Sequence, residues 1–325
     1  MTGGTGLIGS HVAERLRHRG DDVVALVRPT SETSFLEARG ATLVQGDVLD
    51  EAGELARSMR GADAVVHAAA IVFRRVRRRT FERVNIDGTV RVLEAAAAAN
   101  VPRVVHVSSV AVYYRREPAA IYRERDWEAE VPRRVVYAYT KQASERRAWA
   151  LHREGRIRLT TVRPSVVYGE RDRAATPIVA RYASLPLVPL PAGGNTTVPV
   201  VYAGNVARGI VAALDRPSSV GRAYNLAMDE PLTLRALLDG FARGLGRTPR
   251  FATVPAAPGA LAARAVDLAT SLAPGIGRTR ARRGVHMLTH DNPYDSARAR
   301  LELGWTSLVP HEVALRRTAE WWKRR

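Results

Sequence analysis

Thr2-Gly3-Gly4-Thr5-Gly6-Leu7-Ile8-Gly9 spaces glycines at 3, 6 and 9 and runs straight into a helical pattern that carries Val12 and Leu16 and stops at Gly20. Glycine allows a tight turn and a close approach to the backbone. The helix behind it offers free N–H groups and a positive dipole end, an arrangement that suits a pyrophosphate. A glycine-rich loop alone is a weak signal. Here an apolar run, Val-Val-Ala-Leu-Val at 23–27, follows the helix and supplies the next strand of a strand–helix–strand unit. The same unit asks for a strand ahead of the loop, in the middle of the sheet, and the chain starts one residue before the loop. We expect either a start codon assigned too late, the reading we favour, or a shortened chain; the in-frame codons upstream decide.

Working outward, the strand after the loop ends at Arg28. An acid there would take the ribose hydroxyls of NAD, whereas arginine accommodates the extra phosphate of NADP, so we expect NADP, with NAD as the alternative and an ordinary exposed arginine as the plain reading. Further apolar runs follow at 42–48, ending in Asp47 and Val48, at 64–70, ending in Ala68, Ala69 and Ala70, and at 104–109, ending in Ser108 and Ser109. His67 reads as a packed strand residue before a catalyst. Asn85 opens an alanine-rich helix to Asn100, and a sixth strand covers 159–164. Strands alternating with helices predict an α/β fold with a doubly wound parallel sheet, whose ligands bind beyond the strands' carboxyl ends. Gly6, Asp47, Ala69 and Ser109 all fall there.

Val136-Tyr137-Ala138-Tyr139-Thr140-Lys141 puts a phenol and an amine four apart, on one helix face. An ammonium beside a phenol favours the ionised form, so this pair is expected to have an acidified tyrosine that exchanges a proton with a carbonyl or alcohol. A lone pair of this spacing is also met on ordinary exposed helices. The composition adds weight: of 50 Lys+Arg only two are lysines, Lys141 and Lys323. A chain that uses arginine almost everywhere has the compact, more easily deprotonated cation here.

The 325 residues suffice for one large two-part domain. The absence of cysteine excludes disulfides and thiolate chemistry, and no metal site is expected. The charge of +18 points first to nucleic acid or an anionic surface. Scattered arginines and abundant alanine fit codon bias better, so no nucleic-acid partner is expected. Arg74, Arg75, Arg77, Arg78 and Arg79 read as a solvated loop or an anionic-ligand site. No signal peptide is read, no apolar run spans a bilayer, and a cytoplasmic location is expected. Residues 256–276 read as an amphipathic helix that packs on the core, lines a substrate mouth or touches a membrane surface. Residues 115–134 read as a loop, and 185–197 as an irregular Pro/Gly-rich stretch before a strand at 198–202.

With T-G-G-T-G-L-I-G, G-D-V at 46–48, H-A-A-A at 67–70, N-I-D-G-T at 85–89, V-S-S at 107–109, Y-A-Y-T-K at 137–141, R-P-S-V-V-Y-G at 163–169 and L-G-W at 303–305 in order, the chain resembles the extended short-chain dehydrogenases/reductases, the NAD-dependent epimerase/dehydratase superfamily. The resemblance covers nearly the whole chain except the missing strand. It implies a Rossmann domain over 1–165, with 198–228 returning to it, and a substrate-binding part over 166–197 and 229–325. It implies that Tyr137 is the general acid/base, that Lys141 holds the nicotinamide ribose, that Ser109 binds the substrate oxygen and that Asn85 supports the site. Gly3, Thr5, Gly6, Leu7, Ile8, Arg28, Asp47, Val48, Ala68, Ala69, Lys141 and Pro164 would line the cofactor. Nucleotide-sugar members usually carry polar anchors where this chain has Val166 and Val198-Pro199-Val200. The apolar replacements look more like the 3-beta-hydroxysteroid dehydrogenase and dihydroflavonol-reductase-like branches. The expected activity is therefore hydride transfer with a small apolar alcohol or ketone; a nucleotide-sugar epimerase or dehydratase and a non-catalytic cofactor sensor are the alternatives. A homodimer is expected by the same resemblance.

Overall fold

The computed structural model describes residues 1–72, 76–113, 121–227, 230–255 and 293–325. In chain order its principal elements are α1 (Leu7–Arg19), β1 (Val24–Val27), β2 (Thr42–Gln45), α2 (Ala52–Arg57), β3 (Val65–His67), α3 (Gly88–Ala98), β4 (Val104–Val107), α4 (Val136–Arg153), β5 (Leu159–Pro164), α5 (Thr176–Ala183), β6 (Val188–Pro191), α6 (Ala203–Asp215), β7 (Arg222–Leu226), α7 (Leu234–Gly244), β8 (Phe251–Val254), α8 (Ala297–Leu303) and α9 (His311–Lys323). The chain divides into two units. One holds Met1–Val167, Val201–Asp229 and Tyr294–Leu308; the other holds Tyr168–Val200, Glu230–Pro293 and Val309–Arg325.

In the first unit β3, β4, β5 and β7 form a parallel sheet in that order, and β1 pairs in parallel with β2. Thr2 joins the two pieces, bridging Leu26 on one side and His67 on the other. Its N–H donates to Val66 O at 3.0 Å, Ala68 N–H donates to Thr2 O at 3.2 Å, and Leu26 N–H donates to Met1 O at 2.9 Å. The central strand position is thus held by two residues, where the sequence suggested that it was vacant.

Alternation along these strands separates two faces. Val66, Val105, Val107 and Val162 pack with Val12 of α1 and Val206 and Ile210 of α6. Val65, Val104 and Leu159 pack with Val92 and Leu93 of α3 and Ala148 and Leu151 of α4. Both faces are covered, which is why these strands read as continuous apolar runs. Gly304 ends α8 in the left-handed region, at φ 62°, and turns Trp305 into the first of these cores, where it is 1% exposed and donates to Asn205 O at 2.8 Å. The segment Tyr294–Leu308 therefore belongs with the first unit, although the sequence boundary placed everything after 229 with the other part.

In the second unit β6 and β8 pair in parallel, with Val188 opposite Phe251. β6 lies in the stretch read as irregular; its prolines at 189 and 191 are tolerated because the pair has open edges. Thr233 caps α7, its Oγ1 accepting from Ala236 N–H at 3.1 Å. Residues 256–276, Arg74 and Arg75 lie outside the described residues.

Candidate active site

The glycine loop packs as the sequence required. Gly3 has φ +72°, and a Cβ there would lie 2.6 Å from Ala68 C and Ala69 N, so the loop touches the end of β3 through bare backbone. A Cβ on Gly9 would lie 2.1 Å from Gly3 O, so α1 closes directly onto the loop. Gly6 is the N-cap of α1; no side chain caps this end and its first turn carries no acid. These free N–H groups at a positive helix end fit a bound pyrophosphate. At the ends of β1 and β2, Arg28, Pro29, Thr30, Gln45, Gly46, Asp47 and Asp50 line a cleft of about 490 Å3. Asp47 and Asp50 fold the strand-to-helix turn: Asp50 Oδ2 accepts from Asp47 N–H at 2.6 Å and Asp47 Oδ1 from Leu49 N–H at 2.9 Å.

A second cluster forms where β4 ends against α4. Three successive residues of one are met by residues a turn apart on the other. Lys141 Nζ donates to Val107 O at 2.8 Å. Ser108 Oγ donates to Glu145 Oε2 at 2.6 Å. Ser109 hydrogen-bonds the Tyr137 phenol. Tyr137, Lys141 and Glu145 share a helix face because they are four apart. Asn85 braces the helix from below: its Oδ1 accepts from Ile71 N–H at 2.7 Å, and its Nδ2 donates to Ile71 O and to Thr140 Oγ1, each at 3.1 Å. Asn85 does not open a helix as read from sequence. It sits in a π-helical turn, Arg83–Asp87, inside a helical run that begins at Arg78.

A model of the NAD dependent epimerase/dehydratase family matches residues 1–227. The chain belongs to that family. Among curated relatives, "4-hydroxy-2-methyl-3-oxo-4-farnesyl-3,4-dihydroquinoline-1-oxide ketoreductase" of Stigmatella aurantiaca is 29% identical, over 97% of this chain and 93% of its own. Among solved structures, that titled "Crystal structure of gox2253" is 28% identical with a TM-score of 0.77, over 99% of this chain and 97% of its own. One titled "MoeE5 in complex with UDP-glucose and NAD" shares the fold at 23% identity, with a TM-score of 0.70 and the same 99% and 97% coverage.

Within this family member the electrostatics of the pair depart from the sequence expectation. The Tyr137 phenol is not acidified. Burial pushes its pKa above the ordinary value, and the Ser109 hydrogen bond pulls it down only in part. Burial also lowers Lys141 to about 8, against the opposing pull of Glu145. Burial lowers two strand histidines, His67 and His106, and the Lys141 ammonium adds to that lowering. His67 is held between Thr2 Oγ1 at 2.7 Å and Thr89 Oγ1 at 2.9 Å, and burial takes it down to about 3. It is a packed residue.

The remaining candidates divide by exposure. Leu7 and Ile8 are partly buried at the start of α1, and Thr5 is half-buried in the loop. Val48 is 8% exposed and its side chain packs on Gly88, so core contact claims it. Pro164 is buried and pairs with Leu226. Sequence reasoning passed over Glu145, Arg163 and Gln142. Gln142 accepts from Val131 N–H at 3.0 Å and donates to Trp127 O and Ala129 O at 3.0 and 2.8 Å, fastening that loop to α4. Two signals were available: Glu145 stands four residues past Lys141, and Arg163 is a charge inside a run otherwise fit for burial.

Proposed function

We propose that the chain is an NAD(P)-dependent ketoreductase of small apolar substrates, with NADP preferred. The observation that carries this reading is the engagement of Val107, Ser108 and Ser109 by Lys141, Glu145 and Tyr137. The raised Tyr137 pKa supports reduction over oxidation: the phenol keeps its proton at neutral pH and is poised to give it to a substrate oxygen. The bound nicotinamide supplies the hydride chemistry. Ser109 holds the oxygen beside the phenol, and Lys141, largely protonated at neutral pH, favours the negative charge that develops there.

Arg28 in the cleft at the ends of β1 and β2 supports NADP, since its guanidinium suits a ribose phosphate. The substrate class rests on Val198 and Val200, 2% and 7% exposed, which stand at positions where the nucleotide-sugar members that the sequence resembles usually carry polar anchors. The relative named as the ketoreductase of a farnesyl-bearing ketone points the same way. On this reading the first unit holds the cofactor and the second the substrate, in a cytoplasmic homodimer. NADPH consumption with a panel of ketones tests it. Tyr137→Phe is expected to lower turnover by roughly 10²–10⁴ with cofactor binding kept. Equal turnover in both proteins would remove Tyr137 from the mechanism, and cofactor binding without turnover on any ketone would favour a sensor.

A further inference from the structure

Arg163 of β5 and Glu145 of α4 form an ion pair with essentially no solvent contact, 1% and 0% exposed at their side chains. Arg163 Nε donates to the two carboxylate oxygens at 3.0 and 3.2 Å, and Nη2 donates to Oε1 at 2.5 Å. Its Nη1 donates to Tyr113 Oη at 2.7 Å and Glu124 O at 2.8 Å, and the guanidinium lies 5.2 and 5.0 Å from the centres of the Tyr113 and Trp127 rings. Glu145 accepts two further bonds, from Ser108 Oγ at 2.6 Å and Trp149 Nε1 at 3.1 Å. An ion pair this deep is weak evidence of stabilisation, because desolvation offsets most of the attraction. Its location supplies another reason. Glu145 stands one helical turn beyond Lys141 on the same face, and both are anchored to adjacent residues of one strand end, Ser108 and Val107.

We propose that Glu145 is a positioning residue for Lys141: the counter-charge that keeps the ammonium seated and protonated on the Val107 carbonyl, with Ser108 and Arg163 holding the carboxylate in place. The proposal rests on the reductase reading above for its consequence in turnover, and for the coupling on the shared helix face and the adjacent anchors at Val107 and Ser108, with the direction of the Lys141 shift in support. The groups that face Lys141 leave Glu145 as its source of negative charge among the described residues. His67 from β3 and His106 from β4 are driven neutral by burial. Tyr137 on the same helix keeps its proton. Arg163 from β5 faces the carboxylate, the Tyr113 hydroxyl accepts from Arg163 and donates to Asn225 Oδ1, and Asn85 and Thr140 carry no charge. Burial draws Lys141 down and Glu145 draws it up; with the carboxylate gone, burial acts unopposed and the proton leaves at lower pH.

The chain's two lysines make the coupling directly measurable, since isotope-labelled lysine gives one signal for Lys141 and one for the exposed Lys323. Side-chain NMR of the full chain against pH is expected to show Lys141 titrating near 8. In Glu145→Gln the Lys141 midpoint is expected about one unit lower. That variant leaves Arg163 buried alone, so Glu145→Gln/Arg163→Met, which removes the two charges together, guards against unfolding and is expected to shift the midpoint in the same direction. A folded double variant with an unchanged or raised Lys141 midpoint overturns the proposal, as does a wild-type Lys141 that titrates at the ordinary lysine value of 10.5. The measurement needs no substrate, so a failure of ketone reduction and a failure of this coupling are read separately. Where ketone reduction is found, its alkaline limb in the double variant is expected to move to lower pH together with that variant's Lys141 midpoint.

Discussion

The two faces of one sheet have opposite chemistry at their strand ends. Toward α1 and α6, Val66, Val105, Val107, Val162 and Leu226 continue as hydrocarbon to the end, and Trp305 closes the layer. Toward α3 and α4 the first layer is also apolar, with Val65, Val104 and Leu159. Two residues further along each strand the same face presents His67, His106, Thr161 and then Arg163, all at most 2% exposed. His106 is opposite both His67 and Thr161 in register, so the polar groups form a row across three strands. The difference teaches where the chemistry sits: hydrocarbon builds the scaffold on both sides, and at the strand ends the buried polar row lies on the face where α4 brings Tyr137 and Lys141.

The largest expected effect separates the faces by what remains after a deletion. Arg163→Met is expected to cost about 3–5 kcal/mol in denaturant unfolding, because it leaves Glu145 buried without its partner. Ile210→Ala on the other face is expected to cost about 2–5 kcal/mol through its cavity, with no movement of the Lys141 titration. A shift of Lys141 in that variant would break the separation. Ser108→Ala removes a hydrogen bond to a buried carboxylate that keeps its arginine; a loss of about 1.5–3 kcal/mol is expected from the unfolding midpoint.

The gentlest probe is acid. His67 titrates at about 3 in the folded chain against 6.5 for an ordinary histidine, and His106 is lowered as well. Between those values the unfolded chain binds more protons, so this contribution to stability is full above pH 6.5 and is lost as pH falls toward about 3. Urea midpoints measured across that window are expected to decline on acidification, and His67→Gln to flatten the slope. An equal slope in that variant would place the acid sensitivity elsewhere than on the polar row.

What could be read from residues alone was what neighbours in the chain decide. Glycine spacing announced the loop, the alternation of apolar runs with helices announced the parallel sheet, and the four-residue spacing announced that Tyr137 and Lys141 share a face. These features depend on local backbone geometry and period. What only the packed molecule decided involves residues far apart. Thr2 becomes a central strand by bonding to Val66 and bridging Leu26, β6 finds its partner in β8, and Asn85 reaches across to Thr140. The direction of the Tyr137 pKa reversed for the same reason. A nearby ammonium can be read from spacing, but desolvation depends on how many elements close over the phenol, and here it outweighs the Ser109 hydrogen bond that opposes it. Glu145 and Arg163 are 18 positions apart and meet only because α4 lies over β5.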